Sequence, residues 1–259
     1  MSLFDSHCHF DFPPFAGQQA LLWQQCQAHN INRLLIPGTH PGQWPQAAAL
    51  ADTLPGVLVA CGLHPWWIKD CALSPVALAD AMRRFISGHP VHAIGECGLD
   101  AMIDTAPEIQ QDYLAVQLQL ACELSLPLIL HVRKTHNAMQ ALLRHYRPPA
   151  GGVIHGFSGS LQQALQYWQM GFYLGIGGVI TWPRARKTRA AVQQLPLAAL
   201  LLETDAPDMP LHGHGSEANS PLNLPRIASE LASLRGEPLA LIEQQTSSNS
   251  CRLFRVPHV

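Results

Sequence analysis

Asp5-Ser6-His7-Cys8-His9 stands four residues into a chain of 259 and brings two imidazoles and a carboxylate together in five positions. On an extended strand, side chains two apart share a face, so His7 and His9 can present nitrogen to one ion with Asp5 on the same side. Neutral imidazole is the commonest side-chain metal ligand. Polar groups facing a core without partners are costly, so this segment reads as a candidate metal site. A pair of hydrogen-bonded core histidines fits the same spacing, and the rest of the chain has to decide.

Further along, the same residue types recur where short β-rich runs end. The motifs are Gly62-Leu63-His64-Pro65, Gly95-Glu96-Cys97-Gly98-Leu99-Asp100, His131-Val132-Arg133, His155-Gly156-Phe157-Ser158-Gly159 and Glu203-Thr204-Asp205-Ala206-Pro207. A mixed imidazole and carboxylate set suits Zn, Mn or, with more oxygen donors, Mg. Six potential ligands (His7, His9, Glu96, His131, His155, Asp205) exceed what one catalytic zinc needs. Two divalent ions sharing a carboxylate would use them all, and Glu96, central in strand order, is the expected bridge.

Positioning these groups requires strands that end at a common edge. Eight strand candidates are legible: 3–6, 33–36, 57–61, 91–95, 128–131, 152–155, 172–175 and 200–204. Helix signals lie between them. Ser74-Pro75 is an N-cap followed by proline at the first helical position, and Ser160 to Gln163 is a capping box. Gly88 and Gly171 sit where helix C-caps belong. Strict alternation of strand and helix implies a parallel sheet. Eight units in about 250 residues favour a closed (β/α)8 TIM-type barrel, α/β in class and one domain over 1–259. No glycine-rich dinucleotide fingerprint follows the first strand, which argues against an open doubly wound sheet. Residues 209–220 read as the most flexible loop, and 222–254 as one or two closing helices.

Composition narrows the class further. Net charge is −2 and mean hydropathy only +0.06, so neither a broadly basic nucleic-acid coat nor a membrane span is expected. Seven cysteines without a CxxC fit reduced thiols and a soluble cytoplasmic protein. No signal peptide is legible. Oligomeric state is left open, a monomer sufficing.

The motifs DSHCH, GLHP, GECGLD, HVR, HGFSG and ETDAP, in that order and spacing over nearly the whole chain, resemble the TatD family of metal-dependent hydrolases within the amidohydrolase-like barrels. HGFSGSLQQA, GGVITWPRARKTR and LLLETDAPDMPL are most similar to its YjjV branch. The resemblance implies that His7, His9, Glu96 and Asp205 hold one metal and Glu96, His131 and His155 a second. It also implies that Glu203 is an auxiliary acid near the attacking water, and that His64 meets substrate at the pocket wall. Asp205 is expected to orient and deprotonate the water, with His64 and Arg133 stabilising charge on the transferred group. Departures from the family pattern fall at Lys134-Thr135-His136, Ala101-Met102-Ile103 and Ala218-Asn219-Ser220-Pro221, loops that would border substrate.

The expected activity is that of a TatD-type deoxyribonuclease or phosphodiesterase, with DNA as substrate. The alternative is a metal-dependent esterase or amidase such as a D-aminoacyl-tRNA deacylase, and a silent metal-binding interaction protein is a third class. Metallo-β-lactamase-like and PHP-type hydrolases share the early histidines but not the later motifs. Arg184 and Arg186, with Lys187 and Arg189, are candidate phosphate contacts or a solvated helix face. Trp66, Trp67 and Trp182 could stack on bases or close the barrel mouth. Arg133 could instead brace Glu203 or Asp205. His212 and His214 read as exposed, and Cys8 and Cys97 as packing residues.

Overall fold

The computed structural model describes residues 2–213 and 218–258. Eight strands follow one another round a single sheet: β1 (Leu3–Asp5), β2 (Ile31–Ile36), β3 (Val57–Cys61), β4 (Ala93–Asp100), β5 (Leu128–Arg133), β6 (Gly152–Ile154), β7 (Phe172–Ile176) and β8 (Leu200–Leu202). Each is parallel to the next. Seven helices alternate with them, α1 (Gln19–Ala28), α2 (Trp44–Thr53), α3 (Pro75–Gly88), α4 (Pro107–Leu124), α5 (His136–Tyr146), α6 (Leu161–Gln169) and α7 (Arg186–Gln194); α8 (Leu224–Arg235) and α9 (Leu239–Phe254) follow β8. This is the expected (β/α)8 TIM-type barrel. Among the described residues no helix is long and apolar enough to cross a membrane.

The strand period of two sorts the apolar residues. Phe4, Leu35, Leu58, Ala60, Ala93, Ile129, Val153, Tyr173 and Leu201, drawn from all eight strands, form an inner cluster with Cys251, Leu253 and Phe254 from the end of α9. Their neighbours on the other face pack against the helices. Two positions further along, the inner face changes character to Gly62, Gly95, His131, His155, Gly175 and Glu203. The glycines make room: a Cβ on Gly175 would lie 2.1 Å from the Glu203 carboxylate, and one on Gly62 would lie 2.5 Å from the backbone of Gly95. An apolar plug below and a polar chamber above thus follow from one alternation.

Closure between β8 and β1 uses backbone bonds just past the strands, Ser6 N–H to Leu202 O at 3.0 Å and Asp205 N–H to His7 O at 2.9 Å. Asp5 completes it. Its carboxylate accepts the Thr204 amide at 2.9 Å and the Thr204 hydroxyl at 2.6 Å, and burial pushes its pKa up to about 7. Asp5 therefore latches the barrel seam and turns away from the imidazoles that strand parity had grouped with it. His7 and His9 lie beyond the end of β1.

Two glycine expectations divide. Gly171 has φ +86 just past α6, the left-handed stop that glycine serves at little steric cost. Gly88 remains inside α3, which ends on an extended His89. Ser74 accepts the Ala77 amide, and Ser160 and Gln163 form the capping box reciprocally.

Candidate metal centre

Glu96 is the hub. It lies in β4 between Gly95 and Gly98, both at positive φ, where the β4–β5 register shifts between Ile94 and Cys97. A Cβ on Gly98 would stand 2.0 Å from the His131 carbonyl oxygen, so only glycine lets the strand pass this point and aim Glu96 into the chamber. Five imidazoles face its two oxygens.

On one side, Glu96 Oε2 lies 3.2 Å from His7 Nε2 and 3.7 Å from His9 Nε2. Asp205 Oδ1 lies 3.3 Å from His7 Nε2 and 3.5 Å from His9 Nε2, and the two imidazole nitrogens are 3.4 Å apart. Donors at ~2.0–2.1 Å from one ion in tetrahedral array stand about 3.3–3.4 Å from each other. The five separations run from 3.2 to 3.7 Å, around that spacing. On the other side, Glu96 Oε1 lies 2.7 Å from His155 Nε2 and 3.1 Å from His131 Nδ1, which are themselves 3.2 Å apart. The donor chemistry fits a divalent cation: His7 with Glu96 and His155, His7 with His9 and Asp205, and His64 with Glu96 and His131 each bring three donor atoms within 4.8 Å of one another.

The electrostatics suit that use. Burial and the neighbouring His155 push His7 down to about 4, keeping its ring neutral with a lone pair to give. Burial works to raise Glu96, but His155, His64, His7 and a bond from His131 hold it well below the carboxylate range. His155 is raised to about 10 against the effect of burial, by the carboxylates of Glu96, Asp205 and Glu203. The same carboxylates would attract a cation in place of that proton.

Asp100 is a residue that sequence reasoning did not single out. Fully buried, it faces His131 Nε2 through Oδ2 at 3.2 Å and accepts the Trp66 indole N–H at 2.7 Å. Burial alone would raise Asp100, but bonds from His131, Trp66 and the Met102 amide hold it below the ordinary range. A proton kept on His131 Nε2 leaves Nδ1 free to ligate, the carboxylate–histidine arrangement common behind metals. Its sequence signal was its place: the end of a ligand-bearing strand, paired in register with Arg133. Asp100→Asn is expected to weaken metal affinity or activity by ~10–100-fold, measured by metal titration with the fold checked by circular dichroism.

His64 lies deeper than a pocket wall. It is buried, with Nε2 3.2 Å from Glu96 Oε1 and Nδ1 accepting the Trp66 backbone N–H at 3.1 Å. A neutral ring that accepts at Nδ1 carries its proton on Nε2, and burial lowers its pKa, so His64 is a donor in the chamber. Glu203 is fully buried, accepts the Gly156 amide, lies 4.0 Å from His155 Nδ1, and is pushed up to about 8 by burial.

Other expectations are redirected. Arg133 is exposed and reaches Asp100 at 3.9 Å instead of bracing Glu203 or Asp205, because β4–β5 pairing sets it opposite Asp100. Arg184 lies over the Trp182 ring at 4.5 Å and Arg186 is exposed at the start of α7; among the described residues neither has an ion pair with the donor cluster. Arg189 is drawn off by Glu230 at 2.7 Å. Trp66, 51% exposed, stands at the mouth with its ring centroid 5.2 Å from that of His64. Trp67 packs on His40 and Trp182 against His212. His212 is exposed, while His214 lies outside the described residues. Cys8 and Cys97 are buried with thiols raised, mainly by burial, as packing residues should be.

A (β/α)8 barrel with imidazoles and carboxylates converging at one end of its strands defines a metal-dependent hydrolase. The family described as TatD related DNase matches residues 4–255, and the chain belongs to it. It is 43% identical over 255 residues to Escherichia coli K12 YjjV, named an uncharacterized metal-dependent hydrolase, covering 98% of each chain. It is 33% identical to the 3'-5' ssDNA/RNA exonuclease TatD of a Pantoea species, covering 98% of this chain and all of that one. The crystal structure of E. coli YjjV superposes with a TM-score of 0.94 at 42% identity, covering 98% of both chains.

Proposed function

We propose that this chain is a binuclear phosphodiesterase acting on single-stranded nucleic acid, with DNA as its expected substrate. His7, His9, Glu96 and Asp205 would hold one divalent cation, and Glu96, His131 and His155 the other, the metal being Zn, Mn or Mg. The observation that carries this reading is the Glu96 carboxylate, with one oxygen toward His7 and His9 and the other toward His131 and His155. Bound there, two cations would supply an ionised water at neutral pH and a clamp for phosphodiester oxygens. Asp205 orients the attacking water and accepts its proton. His64 Nε2–H, beside Glu96 Oε1, donates to a phosphoryl oxygen as charge develops on it. Arg133 stands exposed at the rim, positioned to meet an anionic substrate, and Glu203 serves as an auxiliary acid near the attacking water.

Support also comes from the Pantoea relative, named an exonuclease of single-stranded DNA and RNA. The test is to load the purified protein with Zn, Mn or Mg and offer 5'-labelled single-stranded DNA beside a D-aminoacyl-tRNA. Stepwise shortening of the DNA is the expected result. Release of the amino acid with every oligonucleotide backbone left whole would overturn it in favour of the deacylase.

A further inference from the structure

A groove of about 760 Å³ runs between α5, α6 and the start of α7. Its twelve bordering residues include the cations Lys134, Arg144 and Lys187 and five side-chain amides, with no carboxylate. The chain as a whole has 18 Asp and Glu against 16 Lys and Arg, so a purely cationic groove is a local concentration of charge. Two of its lining residues follow donors closely in the chain: Lys134 comes three residues after His131, and Ser158 three after His155. At most ~3.6 Å per residue, three residues of backbone span about 10 Å.

The groove wall is held in shape. His136 Nε2 donates to the Ser158 carbonyl at 3.2 Å while its Nδ1 faces the Tyr167 hydroxyl at 3.1 Å. The Ser160–Gln163 capping box fixes the start of α6. At the floor, the Gln140 amide is buried and reaches the Gln163 carbonyl at only 3.5 Å. Lys134, Arg144 and Lys187 are exposed, and among the described residues none is in an ion pair.

From this we infer that the groove holds the phosphodiester backbone of the nucleic-acid strand beyond the scissile bond, a subsite separate from the metal centre. The inference deepens the phosphodiesterase reading and rests on it for the direction of the strand toward the metals. Lys and Arg fix a strand through its phosphates without selecting sequence. The amides supply hydrogen bonds to sugars and base edges. No aromatic side chain borders the groove, so its contribution is to grip and register the strand, not to stack bases.

The test uses a fluorescein-labelled 12-nucleotide single strand, its binding followed by anisotropy across a salt series in chelator so that no cleavage occurs. Lys134→Gln/Arg144→Gln/Lys187→Gln is compared with the unsubstituted protein. Each phosphate contact on a single strand contributes about 0.7 to the slope of log K against log salt, so the slope should fall by roughly 2 with melting temperature unchanged. In the loaded enzyme, KM for the same strand should rise about tenfold, whereas hydrolysis of bis(p-nitrophenyl) phosphate should stay within twofold. Lys187→Arg alone should retain the slope.

An unchanged slope in the triple variant, or an unsubstituted protein that does not bind the strand, overturns the groove assignment. A protein that binds the strand through these residues but shortens no nucleic acid leaves the groove standing and removes the phosphodiesterase reading. The two failures are thus distinguishable.

Discussion

Glu96→Ala protein is expected to purify folded and to lose divalent metal from both sets of donors together. The carboxylate faces both sets, Oε2 toward His7 and His9 and Oε1 toward His131, His155 and His64. Taking it away leaves His7, His9 and Asp205 on one side but only imidazoles on the other. It also removes the negative charge that offsets five buried or nearly buried rings. Hydrolysis should therefore fall by more than the ~10²–10³-fold typical of losing one preorganised electrostatic contact. Glu96→Gln is the control for shape, since it keeps the packing between Gly95 and Gly98 and lacks only the charge. Metal analysis by mass spectrometry settles the matter: full occupancy in the alanine variant would reject the shared-carboxylate assignment.

How visible these features were in the sequence depends on how local their causes are. The eight strands were legible because β-rich runs, caps and turns are written in neighbouring residues. The end of β4 was not. Gly95 reads as a strand terminator, yet the strand continues to Asp100, because Gly95 serves close approach to Ile129 and Gly98 close approach to His131. That contact is invisible until β5 is in place. The imidazoles at strand ends stood out by type and spacing. Asp5, by contrast, shared their parity but is claimed by Thr204 across the barrel seam, a partner 199 residues away. Asp100 was overlooked for a similar reason, since its meaning lies in His131 and Trp66. The run Arg184, Arg186, Lys187 and Arg189 reads as one cluster, whereas folding sends Arg184 onto Trp182, Arg189 to Glu230 and Lys187 into the groove with Arg144. Charge density along a chain does not foretell charge density in space.

Asp205→Asn should leave the fold and most of the metal in place while turnover drops by ~10²–10⁴-fold, the range for losing a general base. The choice of asparagine follows from the backbone. Asp205 sits at φ +57, a left-handed conformation that Asp and Asn tolerate and most other residues adopt only at a cost. Alanine would combine lost chemistry with backbone strain beside the seam, where the Asp205 amide donates to His7 O at 2.9 Å. Asparagine keeps an oxygen that can still face His7 and His9 but removes the charge. Burial works to raise Asp205, while His9, His155 and His7 hold it low, so the native side chain is ionised at neutral pH and offers an unprotonated oxygen to the water. Holding metal and accepting a proton are separable by titration. If the side chain only holds the cation, excess metal will restore the rate of the asparagine variant. If it also takes the proton from water, occupancy will recover with added metal and the rate will not, and the latter is the expected outcome.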